Sequence, residues 1–219
     1  MGKYKIAIFD LDGTLLDTSN GIVEAIHSTI KAENLPQLPQ EVMRGFIGPP
    51  IQDSFAKTYN LSEEQAFQLS LKFREIYVQP EYILNAEPYC GIFETFEKLC
   101  SWGIKLAVAT YKREDLATFL LNSFGFNKYT TAFYGADFNN TLKKVDIIKK
   151  CLDNGKIDDY NSAVMIGDSY HDALGAKQLG VPFLGVTYGF GFKTTEEKNA
   201  YPHIGFVNNA HDIIKYFEQ

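Results

Sequence analysis

After Pro88 the chain alternates short apolar runs with longer amphipathic ones, and nothing else in the sequence narrows its fold so far. The apolar spacing predicts helices over Ile92–Trp102, Arg113–Phe124, Lys144–Asn154 and His171–Leu179. Between them it predicts strands at Lys105–Thr110, Ala132–Tyr134, Ala163–Ile166 and Phe183–Val186. A further apolar run, Lys5–Phe9, reads as a buried strand that ends at Asp10 and turns at Gly13. Such alternation implies parallel strands joined by right-handed crossovers, with helices on both faces of the sheet and ligands at the strands' carboxyl ends.

The stretch between the first strand and this alternating region has a different period. Ile22, Val23, Ile26 and Ile30 recur at helical spacing, and Pro36 and Pro39 close that helix. Glu41–Phe46 and Ile51–Tyr59 read as helices around a Gly48-Pro49-Pro50 break, and Ser62–Val78 starts on a capping serine with Glu64 and Gln65 close behind. Phe67, Phe73, Tyr77 and Tyr82 are expected to pack these helices together. The expected organisation is an α/β, Rossmann-like doubly wound parallel sheet, built from residues 1–16 and 86–219. A small all-helical domain, residues 17–85, is inserted after the first strand.

Charge excludes some function classes. With 21 Lys and Arg against 27 Asp and Glu the net charge is -6, which opposes a broad grip on nucleic-acid phosphates. The three cysteines, Cys90, Cys100 and Cys151, lack C-x-x-C spacing and are expected to be buried free thiols in a reducing cytosol. The N-terminal apolar run is too brief for a signal segment and no long apolar run follows, so the expectation is a cytoplasmic protein without a membrane partner.

Acids gather at predicted strand ends. Asp10 and Asp12 are two apart, so in an extended segment both project to one side, and two carboxylates this close call for a shared cation or for separate roles. Asp168 and Asp172 follow the strand that ends at Ile166. Hard oxygen ligands in this setting favour Mg²⁺. Thr110 offers a hydroxyl at the same rim, and Lys144 offers an ammonium at a helix start after Asn139-Asn140-Thr141. Each feature also has a plainer reading. A D-x-D pair is often a solvated turn, Asp168 and Ser169 suit a helix cap, and Lys143, Lys149 and Lys150 suit a solvated face. Gly189-Phe190-Gly191 reads as a turn, and His27, His171, His203 and His211 as structural. Arg44 is either a contact for a substrate's distal anion or an exposed helix arginine.

Together, Phe9-Asp10-Leu11-Asp12-Gly13-Thr14-Leu15, Thr110, Lys144 and Gly167-Asp168-Ser169 with Asp172 resemble the four motifs of the haloacid dehalogenase-like hydrolases. Gly45-Phe46-Ile47-Gly48-Pro49-Pro50 with Phe55 is similar to the phosphoglycolate phosphatase branch of that superfamily, and the helical insert is similar to its cap. The resemblance implies a phosphatase acting on small phosphate monoesters such as phosphoglycolate or a nucleoside 5'-monophosphate, as a monomer or homodimer. Asp10 would become a transient aspartyl-phosphate, Asp12 would serve as acid and base, and Thr110 and Lys144 would hold the phosphoryl group. Mg²⁺ would bind Asp10, the backbone carbonyl of Asp12, and Asp168, with Asp172 in support. Two departures stand out: Tyr111 where relatives carry a small or amide residue, and Lys144-Val145 where Lys-Pro is frequent, which leaves Lys143 as a rival for the lysine role. A dehalogenase would not need Asp12. A sugar phosphomutase tends to carry a histidine where Ile22 stands, and a catalytically silent relative would not need all four acids.

Overall fold

The computed structural model describes residues 3–139 and 141–218, so Asn140 of the expected turn before Lys144 lies outside them. The chain divides into two compact units, Met1–Leu16 with Pro88–Gln219, and Asp17–Glu87. The chain passes between the units in β2 (Leu16–Asp17) and β3 (Glu87–Pro88), which pair as a two-stranded sheet.

The first unit is built on a six-stranded sheet of β1 (Ile6–Phe9), β4 (Lys105–Arg113), β5 (Phe133–Ala136), β6 (Ala163–Gly167), β7 (Phe183–Val186) and β8 (Gly205–Val207). Their spatial order is β5-β4-β1-β6-β7-β8, and every neighbouring pair is parallel. β1, β6 and β7 are buried throughout, as continuous apolar runs in a sheet covered on both faces must be. Successive side chains point to opposite faces, and the packing follows that alternation. Ile6 and Ile8, with Ala107, Ala109 and Met165, join one cluster with Ile147, Ile148 and Cys151 of α8 (Lys144–Gly155) and Ala173 and Ala176 of α9 (Tyr170–Leu179). Phe9 points the other way and lies 4.8 Å, ring to ring, from Phe96 of α6 (Ile92–Ser101). Helix α7 (Glu114–Ser123) covers β4 and β5, and α10 (Thr195–Asn199) precedes β8.

The second unit is helical: α1 (Ser19–Ala32), α2 (Gln40–Arg44), α3 (Ile51–Tyr59), α4 (Glu63–Tyr77) and α5 (Pro80–Ile83). Ser62 accepts the Gln65 N–H while Gln65 accepts the Ser62 N–H, so two of the amides that α4 leaves unpaired are satisfied at its start. A chain of aromatic contacts runs Phe46–Phe55–Phe73–Tyr77 and forms this unit's own core. Gly48 sits at φ +100°, a conformation open to glycine, and makes the break before α3.

Three expectations need correction. Strand β4 continues past Thr110 to Arg113, because an irregularity between Ala109 and Arg113 lets it keep pairing with β5. The edge strand β8 and the one-turn helix α5 carry too few residues to show a period. Of the cysteines only Cys151 is buried. Cys100 lies on the outer side of α6 and Cys90 in the turn before it, both exposed.

Candidate active site

The strand order reverses at β1: β4 and β5 lie to one side of it, β6, β7 and β8 to the other. In an open parallel sheet a crevice forms at that switch point, beyond the strands' carboxyl ends. Asp10 follows β1 there, its N–H bonded to Ile166 O of β6 at 2.8 Å, and Asp168 follows β6 directly. Adjacent strands thus deliver two acids to one crevice.

Lys144 ties the site together. Its Nζ donates to Asp10 Oδ1 at 2.8 Å and to Ala109 O at 2.8 Å, and pairs with Asp172 Oδ1 at 2.7 Å. Lys143, the rival lysine, is exposed at the start of α8 and donates its backbone N–H to Asp146. Lys143 is the extended residue that caps α8, while Lys144 opens the helix and turns its side chain into the crevice. Tyr111 orients the lysine from below: its hydroxyl accepts the Lys144 N–H at 3.0 Å. The residue that departs from the family pattern therefore anchors the first turn of α8.

Asp10, Asp168 and Asp172 each present a carboxylate oxygen within 4.8 Å of the others, and all three are buried. Burial is the larger cause that pushes Asp10 up to about 8. Lys144 opposes it, and the charges of Asp172 and Asp168 add to it. Burial likewise lifts Asp168 to about 7, assisted by Asp172 and resisted by the Phe190 and Gly191 amides. Burial alone would pull the Lys144 ammonium down, but the carboxylates of Asp10 and Asp172 outweigh it and hold the lysine firmly charged.

These residues fit a divalent cation. Three carboxylates against one ammonium leave two negative charges when all are ionised, in a setting where bare charge is costly. One oxygen of Asp168, Oδ1, is buried without a hydrogen-bond partner. An all-oxygen set suits Mg²⁺ or Ca²⁺ rather than a softer metal. The supporting contacts are specific. Asp168 Oδ2 accepts the Phe190 N–H at 2.6 Å and the Gly191 N–H at 3.3 Å, which leaves Oδ1 for the ion. Asp172 Oδ2 accepts the Ser169 N–H and hydroxyl at 3.0 and 2.7 Å, so this acid serves the start of α9 and the cluster at once. At Gly13, φ +80°, an added Cβ would strike the Asp168 carboxylate and the Phe190 ring.

The remaining expected residues are placed as follows. Thr110 is buried one residue beyond Ala109, and its Oγ1 accepts the Lys112 N–H at 3.1 Å. The Asp12 carboxylate stands outside this group of three acids and pairs with Lys112 at 3.2 Å. Arg44 is exposed on α2 in the helical unit. His171 packs edge-on against Tyr111 at 5.0 Å. Lys112 and the Gly189–Gly191 loop were missed as site components. Only the position of Lys112, two residues past Thr110 in a strand, offered a signal.

A parallel α/β core with this buried acid and lysine cluster can hold a cation and a reacting anion, and comparison with known families gives the class as hydrolase. The family profile of haloacid dehalogenase-like hydrolases matches residues 7–186, and the chain belongs to that family. It is 33% identical over 190 residues to a 5'-nucleotidase of Pseudomonas aeruginosa, covering 86% of this chain and 85% of that one. It is 34% identical over 194 residues to a phosphoglycolate phosphatase of Caulobacter vibrioides, covering 86% and 80%. A haloacid dehalogenase-like family hydrolase from Streptococcus pneumoniae superposes with a TM-score of 0.89 at 29% identity, over 99% of both chains. The chain is a phosphatase of this family, a hydrolase of phosphate monoesters. Among the described residues no helix is long and apolar enough to cross a membrane.

Proposed function

We propose that this phosphatase is magnesium-dependent and cleaves small-molecule phosphate monoesters through an aspartyl-phosphate on Asp10. The observation that carries the reading is the buried cluster of Asp10, Lys144, Asp168 and Asp172 at the sheet's switch point. Asp10, Asp168 and the Asp12 carbonyl would hold Mg²⁺, with Asp172 supporting them. When bound, the ion would offset phosphoryl charge and act as a Lewis acid.

The chain's own residues supply the rest. The Asp10 carboxylate attacks phosphorus. Its negative charge is offset by the Lys144 ammonium at 2.8 Å, which also meets the charge of the transferring phosphoryl group. Thr110 holds a phosphoryl oxygen through its hydroxyl hydrogen, since its oxygen already accepts from Lys112. Asp12 protonates the departing alcohol and then takes a proton from the water that hydrolyses the aspartyl-phosphate. The helical unit acts as a cap that excludes water, and Arg44 meets a distal anion of the substrate. The names of the relatives favour phosphoglycolate and nucleoside 5'-monophosphates as first substrates.

The test is phosphate release from p-nitrophenyl phosphate with magnesium or with chelator, for wild type and Asp10→Asn. Turnover should require the metal and vanish in the variant, whose amide is nearly isosteric but a poor nucleophile. Wild-type rates in Asp10→Asn would refute the reading.

A further inference from the structure

Lys112 is a charged side chain held almost wholly out of water. It is 7% exposed, and its Nζ lies 3.2 Å from Oδ1 of Asp12, whose own side chain is 11% exposed. Lysine ordinarily keeps its ammonium solvated, so this burial needs a partner of opposite charge. The backbone shows how the residue comes to be there. On β4 the pairing with β5 runs Val108↔Phe133 and Ala109↔Tyr134, then jumps to Arg113↔Ala136. Residues 110–112 therefore face the single residue Gly135. A bulge of this kind re-aims side chains at the rim of a site. Gly135 makes room for it, since an added Cβ there would meet Lys112 O and the backbone of Glu114 at 2.5 to 2.7 Å. The Thr110 hydroxyl oxygen fixes the turn by accepting the Lys112 N–H at 3.1 Å.

We infer that Lys112 is a positioning residue: it holds one oxygen of Asp12 so that the other faces the ester oxygen of the substrate. This rests on the reading of Asp12 as the acid and base. An aspartate carboxyl turns readily about its last torsion, whose preferences are broad, and a group that must deliver a proton along one line gains from being held. As the bond from phosphorus to the ester oxygen breaks, its electron pair goes to that oxygen, which takes the proton from the outward oxygen of Asp12. Asp12 is left as a carboxylate with the Lys112 ammonium already in place beside it. In the second half the attacking water gives its proton to the same outward oxygen. The water's oxygen bonds to phosphorus, and Asp10 departs with the electron pair of its bond to phosphorus.

Positioning of the acid matters most when the leaving group is poor, so a series of aryl phosphates separates it from a merely structural role. The readout is kcat/KM, which reports the steps up to departure of the alcohol, for dinitrophenyl, p-nitrophenyl and phenyl phosphate. Lys112→Met should lose about tenfold or more beyond its dinitrophenyl loss when phenyl phosphate is the substrate. Lys112→Arg should recover part of that difference. Because each figure is a ratio within one variant, the fraction of folded enzyme cancels, and Lys112→Gln serves if the methionine variant does not accumulate. An equal loss across the series would overturn the inference, provided that Asp12→Asn shows the steeper dependence. If Asp12→Asn is itself insensitive to the leaving group, the role assigned to Asp12 fails first and the inference falls with it.

Discussion

Metal-free protein should lose stability as the pH rises from about 5 to about 7, and magnesium should restore it by an amount that grows with pH. Burial holds Asp10 at about 8 and Asp168 at about 7, against the ordinary value of 3.8 that both resume on unfolding. A carboxyl raised in the folded state binds its proton more tightly there, so across this window the native protein carries up to two protons that the unfolded chain has lost. Each contributes a slope of about 1.4 kcal/mol per pH unit, giving a decline of about 1.4 to 2.8 kcal/mol per unit. For a chain of this size that corresponds to roughly 3 to 11 °C in Tm per pH unit. Lys144 stays charged throughout and does not alter the sign. A bound divalent cation requires the carboxylates ionised, so it displaces those protons and its benefit is largest where they are most weakly held. Thermal unfolding in chelator and in saturating magnesium, stepped from about pH 5.5 to about pH 7.5, reads both slopes. A magnesium gain that is constant or shrinks as pH rises would refute the electrostatic account. So would a metal-free Tm that climbs over the same range.

Two further outcomes follow from the cluster. Lys144→Met leaves Asp10, Asp172 and the Ala109 carbonyl without their shared donor. It should cost about 3–5 kcal/mol in chemical denaturation at neutral pH along with turnover, and a loss under ~1 kcal/mol would contradict the buried pairing. Gly13→Ala combines strain at φ +80° with a clash against Asp168 and Phe190. It should weaken magnesium binding, measured by titration calorimetry, about tenfold or more, and unchanged affinity would show that the Asp168 carboxylate has room to move.

Where local chemistry speaks, the sequence is explicit. Continuous apolar runs such as Ile6–Phe9 and Ala163–Gly167 cannot be solvated on either face, so they specify buried parallel strands before any partner is known. The acids that follow them inherit a position at the carboxyl edge. Ser62 with Gln65 marks the start of α4 by the same local logic. Short elements such as β8 and the exposure of Cys90 and Cys100 were hidden, because three residues carry no period and a thiol's burial depends on what packs over it.

What the sequence by itself determined is the doubly wound core, the helical insert and the set of acids at strand ends, since propensity, periodicity and spacing act within a few residues. Tertiary structure alone decided which of Lys143 and Lys144 enters the crevice, because that depends on the rotation of α8 against the sheet. It alone decided that the amides of Phe190 and Gly191 steer Asp168, since a backbone N–H looks the same in every sequence. The bulge in β4 did likewise for Lys112: an irregular register is settled by the neighbouring strand, and only that register carries a surface-loving ammonium to the carboxylate of Asp12.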